Sequence, residues 1–264
     1  MGKPILLSLM VLLVAPKINA QQPSADSLFR KFIRISSSYK SIPLQLSITY
    51  SSNCNIPWFV LPVNADSLDF FVNDSAAYIK SVAAEQIIND SVILVVSEYQ
   101  KKMSLVKHTV DVSKMLGEFL TMPNDSLISE MTSNYSIKEK NIGNNLATLE
   151  ITNKKNVNGT SLPFESNILT FNSVSYQPVT IIVTRRNLLK KDKNDKRTTS
   201  APVVTDSNGD ESYVKEYVDT LKFKSISHDT NFVLPVTLTD RIVRDINNKY
   251  QPVAPYSSYK LNLL

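Results

Sequence analysis

The chain has 264 residues, a formal net charge of +5, 42% hydrophobic residues, five glycines and one cysteine. That length and apolar content support one large domain or two small ones with a true core, and they exclude a chain disordered by composition. The lone Cys54 excludes an internal disulfide, so the fold must rest on its core.

In chain order, Lys3 gives a basic start, residues 4–16 are apolar, and Ala20 supplies a small residue before Gln21. This pattern predicts a secretory signal peptide over residues 1–20, cut near Ala20. The apolar run is shorter than the roughly 20 residues of a membrane span. With no cysteine at the cut, no lipid anchor is expected, and no later run approaches membrane length. The mature chain is thus expected to be secreted and soluble, with no transmembrane segment after cleavage.

Residues 24–39 predict a helix, with Leu28, Phe32, Ile35 and Tyr39 in one stripe, Ser24 as its N-cap and Asp26 in its first turn. Residues 42–50 predict a strand, because Leu44, Leu46, Ile48 and Tyr50 alternate with Gln45, Ser47 and Thr49. Short strands are then expected at 58–63, 68–72, 77–82, 86–88, 92–97 and 103–110, joined by Asn-Asp-Ser turns at 73–75 and 89–91. Strands on such short connections pair antiparallel. Val112, Met115, Leu116, Phe119 and Leu120 share a helical face, Pro123 ends it, and Leu127, Ile128 and Met131 continue in a second helix. Strands resume at 135–140, 146–152, 168–176 and 179–184. A polar connection follows, then a long strand over 213–227 and another at 233–238. The tail from Arg241 holds Pro252 and Pro255 and is expected to wrap the surface. The order is α+β, built on one large antiparallel sheet.

This order, with "SIPLQLSITYSS", "AAEQIINDSVILVVSEYQKKMSLV" and "MLGEFLTMPNDSLISEMTSNYSIKEKNIGNNLATLEI", resembles the outer-membrane lipoprotein carrier family (LolA/LolB-like). The resemblance implies a LolA-like half-barrel: a strongly curved antiparallel sheet, an incomplete β-barrel with helices over its concave side. It further implies a periplasmic cell-envelope protein of lipid-binding, lipoprotein carrier type. The domain would span 21–240, with a polar insert at 187–212 and a tail at 241–264. Its partners would be lipid or lipoprotein acyl chains, or other envelope proteins.

A curved sheet under helices encloses an apolar cavity. Leu44, Leu46, Ile48 and Tyr50 are its expected lining, with Trp58, Phe59, Phe70, Phe71 and Phe119 beside them; the alternative is that these residues form an ordinary core. Asp-Ser/Thr-apolar occurs six times, at Ser27, Ser67, Ser75, Ser91, Ser126 and Thr220. It resembles the O-glycosylation sequon of exported Bacteroidetes proteins, although turn and cap chemistry favours the same residues. Residues 185–197 hold seven cations, including Arg185, Arg186, Lys190, Lys191 and Lys193, against Asp192 and Asp195. These are expected to contact anionic headgroups or an acidic partner, or to form a solvated hairpin tip. The rest of the mature chain is slightly acidic, and no nucleic-acid partner is expected. Cys54 reads as a small residue near a strand end rather than a reactive thiol.

No enzyme signature is present: His108 and His228 have no metal-ligand spacing, and no serine-hydrolase elbow or phosphate loop occurs. The reading is therefore a non-enzymatic carrier without metal or cofactor. Two alternatives stand beside it, an envelope accessory protein acting through protein contacts and a hydrolase whose carboxylates assemble only in three dimensions.

Overall fold

The computed structural model describes residues 23–39, 41–58, 63–107, 125–192 and 199–264. The expected signal peptide, the helix expected at 112–120, and Phe59, Phe119 and Lys193 lie outside these residues.

Helix α1 (Ala25–Ser37) starts where Ser24 accepts a hydrogen bond from the Ser27 amide at 3.2 Å. Asp26 sits in its first turn and pairs with Arg30 at 3.0 Å. Leu28, Phe29, Ile33 and Ile35 are buried, so its apolar face is wider than the expected stripe and centres on Phe29, with Phe32 only half-buried.

The strands are β1 (Leu44–Cys54), β2 (Val63–Val72), β3 (Ala76–Lys80), β4 (Glu85–Asn89), β5 (Val92–Ser97) and β6 (Lys102–Lys107). Helix α2 (Asp125–Asn134) then runs directly into β7 (Tyr135–Gly143), followed by β8 (Leu146–Asn153), β9 (Glu165–Asn172) and β10 (Pro178–Lys190). The chain continues as β11 (Val203–Thr205), β12 (Glu211–Ser227), β13 (Ile242–Arg244), β14 (Tyr250–Pro252) and β15 (Lys260–Leu263).

Among the described residues, thirteen strands form one open sheet in the order β15-β6-β5-β4-β3-β2-β1-β12-β10-β9-β8-β7, with β11 added on β12. Its two halves are consecutive hairpins, and the pairing of β1 with β12 welds them together. Every pair is antiparallel except β15 on β6, which the long C-terminal connection allows to be parallel. The fold is thus α+β, a large antiparallel sheet that does not close into a barrel. Two expectations change. Residues 185–190 extend β10 rather than opening a loop, because they pair with residues 212–217 of β12. Residues 233–237 form no strand and lead into a single 3-10 turn at Leu238–Asp240.

Residues opposite each other across strand pairs share one side of the sheet. The register places Glu139, Leu149, Leu169, Ile181, Leu221, Tyr50 and Asp66 in one rank from β7 to β2. The helices lie on this side, because Leu149 and Leu169 bury against Leu28, Phe29 and Ile128. The other side carries the rank Phe71, Tyr78, Ile87, Leu94, Leu105 and Leu263. There the C-terminal segment covers the sheet with Leu234, Val236, Leu238, Ile242, Tyr256 and Tyr259. The sheet is therefore covered on opposite sides at its two ends.

The covering segment is pinned by charge. Arg241 forms a two-pronged ion pair with Glu85, which also accepts from the Tyr78 hydroxyl at 2.8 Å. The Arg241 guanidinium lies 4.7 Å from the Tyr256 ring centre. The Glu85 hydrogen bond holds Arg241 above its usual range, while burial, then the bond to Glu85, pushes the Tyr78 phenol far up.

Candidate functional site

Between the two covered ends, the helix side of the sheet carries a continuous apolar band. Ile48 faces Leu68 on β2 and Phe223 on β12, while Leu46 faces Phe70 and Ile226. Leu46 and Ile48 are two residues apart, but Phe223 and Ile226 are three apart, so β12 bulges here. Strict alternation along β12 would place Ser225 beside Phe223; the bulge brings Ile226 onto the apolar side instead. Ile181 and Leu221 extend the band toward β9. Leu46, Tyr50, Phe70, Ile181, Leu221 and Phe223 remain half-buried, whereas Leu149, Leu169 and Phe171 under α1 are almost fully buried.

Of the residues expected from the sequence, Leu44, Leu46, Ile48, Tyr50 and Phe70 thus share one side of β1 and β2. Leu44 and Ile48 are buried among them. Phe71 does not join them. Neighbouring strand residues point to opposite sides, and Phe71 lies beside Tyr78 under the C-terminal segment, ring centres 6.1 Å apart. Trp58 belongs to a separate cluster with Cys54, Ile56, Ala201 and Tyr213, its ring edge-on to Tyr213 at 6.4 Å. Ile181, Leu221 and Phe223 were not singled out from the sequence. Their signal is the alternation along β10 and β12, but only the pairing with β1 shows which side faces the helices.

One end of the band is polar. The Tyr50 hydroxyl donates to Asp219 at 3.0 Å, and Arg185 approaches the other Asp219 oxygen at 3.7 Å. Toward the other end, Tyr39 follows α1 and sets its ring against Phe223 at a tilt of 45°, centres 5.1 Å apart. Burial pushes the Tyr39 phenol above its usual range. The band therefore runs from an aromatic end to an end with carboxylate, phenol and guanidinium groups.

Among the described residues of the basic stretch, three cations are paired with carboxylates on or beside β12. Arg186 faces Glu216 and bonds to it at 2.6 Å, Lys190 reaches Asp210 at 2.8 Å, and Lys191 reaches Glu211 at 2.6 Å. An anionic headgroup at these cations would compete with carboxylates already in place. Arg185 differs, being 63% exposed and only loosely held by Asp219.

Ser27, Ser75 and Ser91 are exposed, Ser67 and Thr220 are half-buried, and Ser126 falls at the start of α2. Ser75 and Ser91 stand in turns built by Asn73 and Asn89, whose side-chain oxygens accept from the backbone amides two and three residues on at 2.8–3.0 Å.

Hollows in the described part of the molecule include one of about 510 Å³ by Pro23, Leu28, Ile137 and Glu139 and one of about 450 Å³ by Gly159, Leu188, Asp206 and Asp210. Neither touches the band, whereas a smaller, more open hollow of about 230 Å³ reaches it at Phe223 and Ile226. Among the described residues, no three His, Cys, Asp or Glu side chains converge as a metal site, and no helix is long and apolar enough to cross a membrane.

No protein-family model matches the chain, and no curated protein does. Several solved structures are similar to it, among them the following two. A LolA superfamily protein from Nitrosomonas europaea is 9% identical, covers 78% of this chain and 94% of its own, and has a TM-score of 0.26. A domain assigned as an outer membrane lipoprotein-sorting protein from Vibrio parahaemolyticus is 9% identical, with coverages of 80% and 95% and a TM-score of 0.27.

Proposed function

We propose that this chain is a non-enzymatic periplasmic carrier that holds a lipid-like or lipoprotein acyl chain against the apolar band on the helix side of its sheet. The observation that carries the reading is the band itself: large apolar side chains from β1, β2, β10 and β12 in register, half-buried in the middle of the sheet. Such a surface binds by shape and apolar burial, worth about 25 cal/mol per Å² removed from water. The polar end at Tyr50, Asp219 and Arg185 suits the head of an amphiphile, with its chain directed toward Phe223. The resemblance of the sequence to outer-membrane lipoprotein carriers supports the same reading.

Native mass spectrometry of protein purified from its own envelope tests it. A bound mass of lipid size is expected, and so is binding of a fluorescent fatty acid that is weakened at least tenfold by Leu221→Asp or Phe70→Asp. A filled band that takes up neither native lipid nor the probe overturns the proposal. The same spectra address the Asp-Ser/Thr sites, where we propose O-glycans at the exposed Ser27, Ser75 and Ser91. Glycans add mass to the polypeptide, and an unmodified polypeptide mass removes that proposal.

A further inference from the structure

We propose that His228 is a proton-operated latch at the aromatic end of the band; its bearing on ligand access rests on the reading of the band as a ligand site. His228 follows the last residue of β12. Its Nδ1 lies 2.7 Å from the Pro43 carbonyl oxygen and its Nε2 lies 2.7 Å from the Ser38 carbonyl oxygen. A carbonyl oxygen only accepts. A neutral imidazole has one N–H and would set its other lone pair against an oxygen, whereas the imidazolium donates to both. Ser38 is also the C-cap of α1, where the helix gathers partial negative charge and favours a cation. The geometry is that of the protonated ring.

The two carbonyls bracket the short connection from α1 to β1. That connection carries Tyr39, whose ring meets Phe223 at a tilt, and Ile42, which packs against the cluster of Leu44, Val72, Ala77 and Ile88 that Leu46 and Ile226 also join. The latch thus ties the end of β12, the end of α1 and the start of β1 together at one end of the band. Titratable groups on the segments flanking the clasp include Tyr39 and Asp229. Tyr39 on the α1 side is held protonated by burial. Asp229 on the β12 side accepts from the Asn231 amide at 2.9 Å. No ion pair is made by the ring among the described residues, and the residue is exposed, so protons reach it freely. The sign follows from the two donors: the clasp is complete when the ring carries both protons and loses one bond when it carries one.

Ring ¹⁵N resonances and amide exchange of the full chain at about pH 5.5 and about pH 8.5 test the latch. The signal assigned by its loss in His228→Gln is expected to show two protonated nitrogens in acid. Exchange at Tyr39 and Ile42, corrected for intrinsic rates, is expected to be about tenfold faster at the higher pH, and flat with pH in His228→Gln. Uptake of a fluorescent fatty acid is expected to quicken in parallel. Exchange in the parent chain that does not change with pH, or a ring protonated on one nitrogen in acid, overturns the latch even if the probe binds. A latch that opens while no probe binds at either pH keeps the latch and overturns the ligand reading instead.

Discussion

At the scale of single residues, the strongest dependence falls on side chains whose partners come from far along the sequence. Phe29 is fully buried between α1 and the β8–β9 surface. Phe29→Ala is expected to cost about 3–5 kcal/mol, read as a lowered denaturant midpoint. The Glu85–Arg241 pair is 8% and 14% exposed at its two side chains. Removing one partner leaves the other charge buried, so Arg241→Ala is expected to cost about 3–5 kcal/mol. The double replacement with apolar residues is expected to recover part of that loss. By contrast Lys190→Ala, at an exposed pair, is expected to leave the denaturant midpoint essentially unchanged. The Ser24 cap and the Asp26 position are legible in the sequence because they are local rules. The pair of Glu85 with Arg241 is not, because no periodicity links residues so far apart.

At the scale of elements, hairpins were readable and partners between hairpins were not. The alternation in residues 42–50 marks β1, and the Asn-Asp-Ser turns mark the ends of β2 and β4. The sequence extends neither β1 to Cys54 nor β10 to Lys190, because their outer halves are polar and gain strand form only by pairing with β12. The same blindness affects the C-terminal tail, whose prolines and tyrosines suggest a surface wrap but whose end adds a strand to the sheet. A second clasp of the tail sets a pH dependence. Glu98 is held below the usual carboxylate range by the Tyr259 hydroxyl and then by Lys101. A lowered folded pKa means stabilisation that is present above about pH 4.3 and is lost as pH falls below it. Glu98 is half exposed, so the effect is small. Thermal melts between about pH 6 and pH 3 are expected to show a larger drop in the parent chain than in Glu98→Gln. Equal drops would remove Glu98 from the acid response.

At the scale of the whole molecule, the two cover segments divide the work. Helices protect the β7–β9 end on one side, the tail protects the β2–β6 end on the other, and the half-buried band lies between. The class and the large antiparallel sheet were readable from the order of helix, strand meander, helical pair and strand meander, whereas its openness followed only from the family resemblance. The band was readable only in part: Leu44, Leu46, Ile48 and Tyr50 declare themselves by alternation, while Phe223 and Ile226 reach the same side only through a bulge. Deleting residues 233–264 is expected to expose the rank of Tyr78, Ile87, Leu94 and Leu105 and to yield insoluble protein, measured as the loss of the soluble fraction. A soluble truncated chain with unchanged amide protection in β3–β6 would show that the tail is dispensable.

The parallel pairing of β15 with β6 also sets an order of events during synthesis. A chain made from its N-terminus releases β5 and β6, with their runs of Val, Ile and Leu, long before Lys260–Leu263 exists. Until Lys260–Leu263 emerges, the β6 edge lacks this partner strand, the condition under which chains associate edge to edge. The nascent chain is therefore open to association at this edge until Lys260–Leu263 has been made and has paired with β6.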